Sequence, residues 1–472
     1  MFLLFCGLEL GRLAPGTSMP GDSSLLRKLF MNQNLDTVMD DIVLPKKVDV
    51  VVIGGGIIGA STALSLSLKG LAVALCEKGP IAGEQSSRNW GWCRITKRDP
   101  RELELSIKSV EMWREFEATY GIDTGFRQCG ILYAAETDAA MEAHTSWLER
   151  ARRVAGDTFD TRVLSSDQVA MVLPTASRRF KGGIYTPTDG RAEPEKAVTA
   201  LVALLRSRGV KVLTPCAARG VETSAGRVSA VVTEHGVIQC QSVVVAGGAW
   251  SRHFCGNLGI NVPQLLLRAS VVQTTPVEGG PDCCTSTGPF AFRKRVDGGY
   301  TIANGFSSIS ELTPDSFRLF FLYLKALKTE SGQLKIRFGK RFFEELLRRR
   351  SWQLDEKTVF EEIRTLDPEP AGSDADIAFE QFIELFPQLK TARIAQRWGG
   401  YMDVTPDALP VISGVESIPG FFIGTGFSGH GFGIGPAAGR LLADLVTNDQ
   451  PLVNPHVFRL GRFFDGSEII LD

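Results

Sequence analysis

The chain has 472 residues, enough for two or three domains with their own cores, and its 44% apolar and 22% charged content is that of an ordinary globular protein. With 52 basic against 53 acidic residues the net charge is close to zero, which argues against nucleic acid as a main partner. Nine scattered cysteines contain no CxxC pair, and Cys283 and Cys284 are adjacent. That pattern suits neither a zinc knuckle nor a disulfide framework, so free thiols in a reduced, cytoplasmic setting are expected, with no metal site.

Residues 1–45 show no clear periodicity. Met1–Gly7 is apolar but lacks a basic flank and is soon followed by Glu9, so the segment reads as a poorly ordered extension rather than a signal peptide. No stretch reaches the roughly 18 apolar residues of a membrane span, and the protein is expected to be soluble or at most peripheral to the inner membrane. At Val48 the pattern changes. Val50–Ile53 is a short, apolar, β-branched run, as expected of a strand covered on both faces. Gly54-x-Gly56-x-x-Gly59 follows at once, then a helix to about Lys69 stopped by Gly70, and a second strand, Ala72–Cys76, ending at Glu77. The first glycine allows the tight turn, the second lets backbone approach a pyrophosphate, and the third lets helix pack on strand. The helix N-terminus offers free N–H groups and partial positive charge to a diphosphate, and Glu77 is placed to accept adenosine ribose hydroxyls.

Beyond this unit comes a loop from Gly79 to Pro100 and a helix from Arg101 to about Tyr120. Gly130–Tyr133 reads as a strand, Met141–Ala155 as a helix, and Ser165-Ser166-Asp167 caps a short helix ended by Pro174. Gly182–Tyr185 is a strand, Glu193–Arg208 a helix stopped by Gly209, and Val210–Thr214 a strand. Gly220–Glu234 with Val237–Gln241 reads as a β-hairpin pair. Ser242–Ala246 then runs into Gly247-Gly248-Ala249-Trp250, a glycine turn at the end of a strand, where ligands bind in open α/β sheets. Residues 262–312 are rich in strand signals. The stretch 315–350 reads as helical and carries ten Lys/Arg against Asp315 and three Glu, interleaved with phenylalanines. Such a face either covers a core stripe or rests on a membrane surface or partner subunit. A strand at Phe421–Gly424 leads into Thr425–Gly435, which opens a last helix, Ala437–Val446.

The order Asp49-x-Val51, Gly54-x-Gly56-x-x-Gly59, Glu77, Ser86-Ser87, Ala246-Gly-Gly-Ala-Trp250 and Thr425-Gly-Phe-Ser-Gly-His-Gly431 resembles the D-amino-acid oxidase/dehydrogenase superfamily of FAD enzymes. That superfamily includes glycine oxidase, sarcosine oxidase and bacterial D-amino-acid dehydrogenase. The resemblance implies an α/β fold: a discontinuous Rossmann-like FAD-binding domain (46–98, 188–262 and 396–450) with an inserted antiparallel-sheet α+β substrate domain (99–187 and 263–395). The stretch 315–350 would be a helical insertion and 451–472 a C-terminal tail. It also implies that Gly54, Gly56, Ile57, Ile58, Gly59, Glu77 and Lys78 hold the ADP half of FAD. Ser86, Ser87 and Arg88 would meet the diphosphate and flavin edge, Ala217 the adenine, and Gly247 and Trp250 the dinucleotide. Gly426, Ser428, Gly429, His430 and Gly431 would surround the flavin.

Three positions depart from the pattern. Met402 stands where many relatives carry a carboxylate-binding Arg, Gly400 where sarcosine oxidase attaches its flavin through Cys, and Gly433 where that enzyme has Lys. Noncovalent FAD is therefore expected, with the substrate anchor elsewhere. His430, Tyr401 and Arg94 are the candidate catalytic residues. Arg268 is expected in a structural ion pair and Cys93 as an inert thiol. The implied reaction is oxidation of the CH–NH bond of an amine or amino acid to an imine, the substrate being a D-amino acid or a secondary amine such as an N-methyl or cyclic amino acid. Oxygen, quinone or a partner flavoprotein would accept the electrons. The alternative is a flavoprotein subunit of a heteromeric amine, opine or hydroxyproline dehydrogenase, acting mainly in electron transfer or assembly, and homo- or hetero-oligomers fit either reading.

Overall fold

In the computed structural model, Val50–Ile53 lies at the heart of a six-stranded sheet, since its four apolar side chains need no water on either face. Val73–Cys76 flanks it on one side and Ser242–Val245 on the other, both parallel to it. Lys211–Leu213 and Phe421–Thr425 extend the sheet in parallel, and Val411–Gly414 adds an antiparallel edge. The structure describes residues 43–305, 308–329, 332, 334–370 and 372–471. The expectation for 1–45 therefore lies outside the described residues up to position 42. All described residues fall in one unit, 33–472. No helix among them is long and apolar enough to cross a membrane.

Helix Ile57–Leu68 covers this sheet and is crossed closely by Gly431–Thr447. Small residues make the approach possible: a Cβ on Gly439 would fall 2.5 Å from the Ser61 Cβ, and one on Gly435 2.6 Å from Ile57 Cγ1. Both helices thereby aim their N-termini at the same end of the sheet.

A second sheet is built around Leu265–Thr274, which pairs antiparallel with Ile394–Val404 in a register that places Arg268 opposite Tyr401 and Leu267 opposite Met402. Eight further strands, among them Ile131–Ala135, Gly182–Thr186, Ser308–Glu311 and Leu334–Arg337, extend it to ten, mostly antiparallel. Two pairings are parallel, Cys284–Ser286 on Ile131–Ala135 and Ser308–Glu311 on Leu334–Arg337. The second corrects the all-helical reading of 315–350. Helices Pro314–Arg318, Phe320–Thr329 and Lys340–Leu347 are present, but Leu-Lys-Ile-Arg alternates with period two and adds an edge strand instead. The expected hairpin pair is a three-stranded meander, Ala218–Ser224, Arg227–Thr233 and Gly236–Gln239. Its first turn is set by Ala225 and Gly226, at φ 49° and 78°.

The segment expected as a C-terminal tail is anchored. Phe458 is buried, and Arg462 grips Asp407 with two bonds of 2.8 and 3.0 Å while donating to the Leu409 carbonyl. Both charged side chains are over nine-tenths buried. Removing one partner leaves the other charge unpaired in the interior, which costs about 3–5 kcal/mol. An Arg462→Ala chain is expected to unfold at clearly lower urea concentration than the parent, and an unchanged midpoint would refute this role.

Burial pushes the imidazoles of His144 and His253 down to about 4, and His253 stacks on Trp352 with centroids 5.3 Å apart. Arg348 and Arg350 add to the shift at His253, and Asp315 opposes it. An unfolded histidine protonates near pH 6.5, so between about 6.5 and 4 the unfolded chain binds more protons than the folded one. Stability is therefore full above pH 6.5 and falls as the pH drops towards 4. Urea midpoints measured across this window are expected to show that slope, and His253→Gln to flatten it.

Candidate active site

The C-terminal ends of the central strands open into a cavity of about 350 Å³ walled by both glycine turns and the N-termini of both crossing helices. At one end stand Glu77, Lys78, Cys216 and Ala218; in the middle Gly54, Gly56, Ser86, Gly247 and Trp250; at the other end Trp90, Trp92, Arg94, Arg98, Tyr401, Met402 and Gly429. Gly54 carries φ +114°, and a Cβ there would sit 2.3 Å from the Ala246 carbonyl oxygen, so only glycine lets the first strand's turn meet the fourth strand in sequence-distant Ser242–Val245. Ile57 N–H, the first of the helix, donates to the Ser86 hydroxyl at 2.9 Å. Glu77 accepts from Gly55 N and Gly79 N, both at 2.7 Å, although burial raises its pKa. Lys78 is held by Glu84 at 2.7 Å, by the Ile363 and Arg364 carbonyls, and over the Trp250 ring. A carboxylate at one end to accept from ribose hydroxyls, and helix N-terminal N–H groups in the middle to donate to phosphate, are what the adenosine and diphosphate of FAD require.

Of the residues singled out from the sequence, Gly54, Gly56, Ile57, Ile58, Glu77, Lys78, Ser86, Arg88, Gly247, Trp250, Ser428, Gly429, Gly431, Tyr401 and Arg94 line this cavity. Gly59, Ser87, Ala217, Gly426 and His430 do not. Gly59 faces inward, where a Cβ would lie 1.9 Å from the Gly54 carbonyl oxygen. The Ser87 hydroxyl turns back onto the Glu84 carbonyl. Ala217 is spent on Glu234, and its extended-chain neighbours Cys216 and Ala218 reach the cavity instead. Gly426 lies behind the wall, its N–H donating to Asp403 at 2.7 Å. The His430 ring is turned away onto Glu102, 3.1 Å from Nδ1 to Oε1.

The remaining candidates are also constrained. The Tyr401 hydroxyl donates to Glu311 at 3.2 Å, and its ring lies 4.2 Å beneath the Arg341 guanidinium. Arg94 donates to the Thr96 carbonyl and sits over the Tyr133 ring. Arg268 pairs with Glu311 at 3.5 Å, the structural ion pair expected of it. Cys93 is fully buried, which pushes its thiol far up and leaves it inert.

Two groups escaped the sequence reading. Asp403 is a buried carboxylate that gathers the cavity walls. Its Oδ1 accepts from Gln85 at 2.8 Å, and its Oδ2 from Gln264 at 2.8 Å, Thr425 at 3.2 Å and Gly426 N at 2.7 Å. The second group is Arg98 with Glu102 and His430. Arg98 is 2% and Glu102 0% exposed, and Arg98 Nη1 stands 3.5 Å from Glu102 Oε1 without making a hydrogen bond. Burial alone would raise the Glu102 carboxyl, but His430 and Arg98 more than offset it and hold the acid below its usual range. Burial and the Arg94 charge lower Arg98 to about 10, and burial with Arg98 lowers His430, against the pull of Glu102. Arg98 is thus a cation in the cavity wall balanced by the Glu102 carboxylate, with the His430 ring on the far side of that acid.

A second cavity of about 360 Å³ opens on the far side of Tyr401 and Trp250, beneath helix Lys340–Leu347. Its charges are largely paired: Arg252 and Arg350 with Asp315, Arg341 with Glu311, and Arg348 with Glu345.

Comparison with known proteins extends over nearly the whole described chain. A family model described as DAO, FAD dependent oxidoreductase, matches residues 49–445. The structure of L-amino acid deaminase from Proteus myxofaciens in complex with anthranilate superposes with a TM-score of 0.88 at 33% identity, covering 91% of this chain and 97% of that one. Sarcosine oxidase subunit beta of Arthrobacter is 25% identical, over 89% of this chain and 93% of its own length. Mitochondrial sarcosine dehydrogenase of Mus musculus is also 25% identical over 89% of this chain, which spans only 42% of that protein.

Proposed function

Because the chain belongs to the DAO family of FAD-dependent oxidoreductases, we propose that it oxidises the carbon–nitrogen bond of an amino acid whose carboxylate is held by Arg98. The observation that carries this reading is the buried Arg98 guanidinium in the cavity wall, whose Nη1 makes no hydrogen bond and stands 3.5 Å from Glu102 Oε1. Met402 brings no charge, and of the other cations lining the cavity Lys78 pairs with Glu84, Arg88 with Asp367 and Arg364 with Glu234. Bound FAD supplies the two-electron acceptor for the hydride leaving the α-carbon. Trp90, Trp92 and Tyr401 exclude water and fix the substrate's orientation, and Arg98 sets which carbon faces the cofactor. The imine product hydrolyses to a 2-oxo acid. An L-α-amino acid is the first choice, supported by the 33% identity to an L-amino acid deaminase. D-amino acids and secondary amines such as sarcosine or proline are the competing substrates, the latter supported by the sarcosine-named relatives. FAD is held noncovalently, because Gly400 offers no nucleophile and packs on Arg88, 3.3 Å from a Cβ built on it to the Arg88 Cβ.

The test is anaerobic mixing of purified holoprotein with L- and D-amino acids, sarcosine and proline, following flavin absorbance. Bleaching by one class names the substrate. If none bleaches the flavin, the chain does not do this chemistry alone. A second reading, a dehydrogenase seated on a membrane surface, is favoured by one observation. Phe317, Phe321, Phe338, Phe343 and Leu347 are all more than half exposed on the 314–347 segment, beside Lys325, Lys328 and Lys340. We read this patch as the contact to an anionic membrane surface, from which a quinone would collect the electrons. Co-flotation with anionic vesicles, lost in a Phe321→Ser/Leu347→Ser chain, is the expected result.

A further inference from the structure

Three thiols that take no part in the proposed reaction meet beneath the tryptophan wall of the cavity. Cys129 Sγ lies 3.7 Å from Cys284 Sγ. Cys283 directs its thiol to the Gly130 carbonyl at 3.4 Å, the same oxygen that Cys129 approaches at 3.6 Å. Strand pairing fixes this meeting: Cys284 sits opposite Ile131 in a parallel ladder, and Cys129 lies two residues ahead of that strand, across Gly130. Cys284 is completely buried, whereas Cys129 is partly open to solvent. Arg191, anchored on Asp282 at 3.0 Å, brings a guanidinium charge to both sulfurs. The two thiols are thereby made unequal. The Cys284 S–H and the Arg191 charge lower the Cys129 pKa, while burial and the neighbouring sulfur raise that of Cys284. A thiolate at the accessible sulfur beside a protonated sulfur in the interior is the division of labour of an attacking and a resolving cysteine.

We propose that Cys129 and Cys284 are a peroxide-oxidisable dithiol that closes to an intramolecular disulfide. The Cys129 thiolate attacks hydrogen peroxide, the O–O bond breaks with loss of hydroxide, and a sulfenic acid forms. The Cys284 sulfur then displaces the sulfenic oxygen, which leaves as water once protonated. Two thiols are oxidised, one peroxide is reduced to two waters, and a thiol reductant reverses the change. Cys283 is a bystander, its own thiol pushed up by burial. Closure has consequences for the cavity. A disulfide needs its sulfurs about 2.05 Å apart, so the start of Ile131–Ala135 and Cys284 must draw together. Cys284, Ile131 and Ala291 pack with Trp92, and Trp90 and Tyr133 lie against the same cluster. The wall that carries Trp92, and Arg94 over Tyr133, moves with the bond.

The test uses full-length holoprotein treated with hydrogen peroxide. The intact mass is expected to fall by two hydrogens. A non-reduced peptide map should join Cys129 to Cys284, with dithiothreitol reversing both, and Cys129 should be consumed about tenfold faster than the other cysteines. Cys283→Ser is expected to keep the cross-link. Cys284→Ser is expected to lose it and to leave a sulfenic acid on Cys129 that dimedone traps. Should Cys284→Ser not fold, fragmentation between residues 283 and 284 of the native cross-linked peptide assigns the bond instead. A cross-link to Cys283, or consumption of Cys129 no faster than the rest, overturns the proposal.

Discussion

A Gly54→Ala chain is expected to fold with its sheets in place and to purify almost free of FAD. The methyl group meets two obstacles at once. The backbone at φ +114° is one that side chains rarely adopt, at a cost of about 1–3 kcal/mol. The new Cβ also falls 2.3 Å from the Ala246 oxygen and 2.8 Å from its carbonyl carbon, atoms of backbone that cannot swing aside. Ala246 N donates to Ile53 O at 2.8 Å, so separating these strand ends also breaks the bond that aligns the two glycine turns. The Gly247–Trp250 turn then retreats from the helix N-terminus, and a loss of about a hundredfold in FAD affinity, roughly 3 kcal/mol, is expected. Titration of apoprotein with FAD measures it directly. Gly70→Ala is the control: its φ is also positive, +83°, but nothing lies within 4 Å of the new Cβ, so it should retain full affinity. Equal FAD content in both variants would show that the contact with Ala246 is unimportant.

Arg98→Gln is expected to raise KM for the amino-acid substrate about a hundredfold while FAD stays bound. Truncating one member of a buried charge pair costs about 2–5 kcal/mol, and here the loss falls on a ligand carboxylate and on Glu102 alike. The two effects can be separated. Oxidation of an amine that lacks a carboxylate should be slowed far less, and Arg98→Lys, which keeps the charge but not the fork, should recover part of the amino-acid KM. If Arg98→Gln weakens both kinds of substrate equally, Arg98 is a structural counter-ion of Glu102 and the anchor lies elsewhere.

The parts of the site that could be read from sequence are those whose meaning is local. The turn at Gly54, the helix after it and the acid at Glu77 fall within thirty residues, and each carries its own steric or electrostatic reason. Asp403 had no such signature. Its worth comes from four donors contributed by residues near 85, 264 and 425, and no pattern around 403 announces them. Glu102 was hidden for the same reason, as an ordinary acid at a helix start until folding brings His430 across to it. The helical reading of 315–350 missed one strand among three helices: basic residues and phenylalanines suit a helix, but four alternating residues beside an open strand edge are captured by the sheet. The direction of the His430 ring, onto Glu102, was not legible because position in a glycine turn does not determine which way a ring points.

The strand order of the central sheet also bears on how the protein is made. Phe421–Thr425 pairs with Ser242–Val245, and Ile394–Val404 pairs along its length with Leu265–Thr274. Asp403, which joins the cavity walls, and Gly429 and Gly431, which complete them, emerge from the ribosome only after more than four-fifths of the described chain. A nascent chain can therefore present the fingerprint at Gly54 early, yet has no closed pocket until residues 403–431 have been made. Cofactor loading therefore waits on residues 403–431, and a chain arrested in translation before residue 421 is expected to carry the nucleotide fingerprint and retain no flavin.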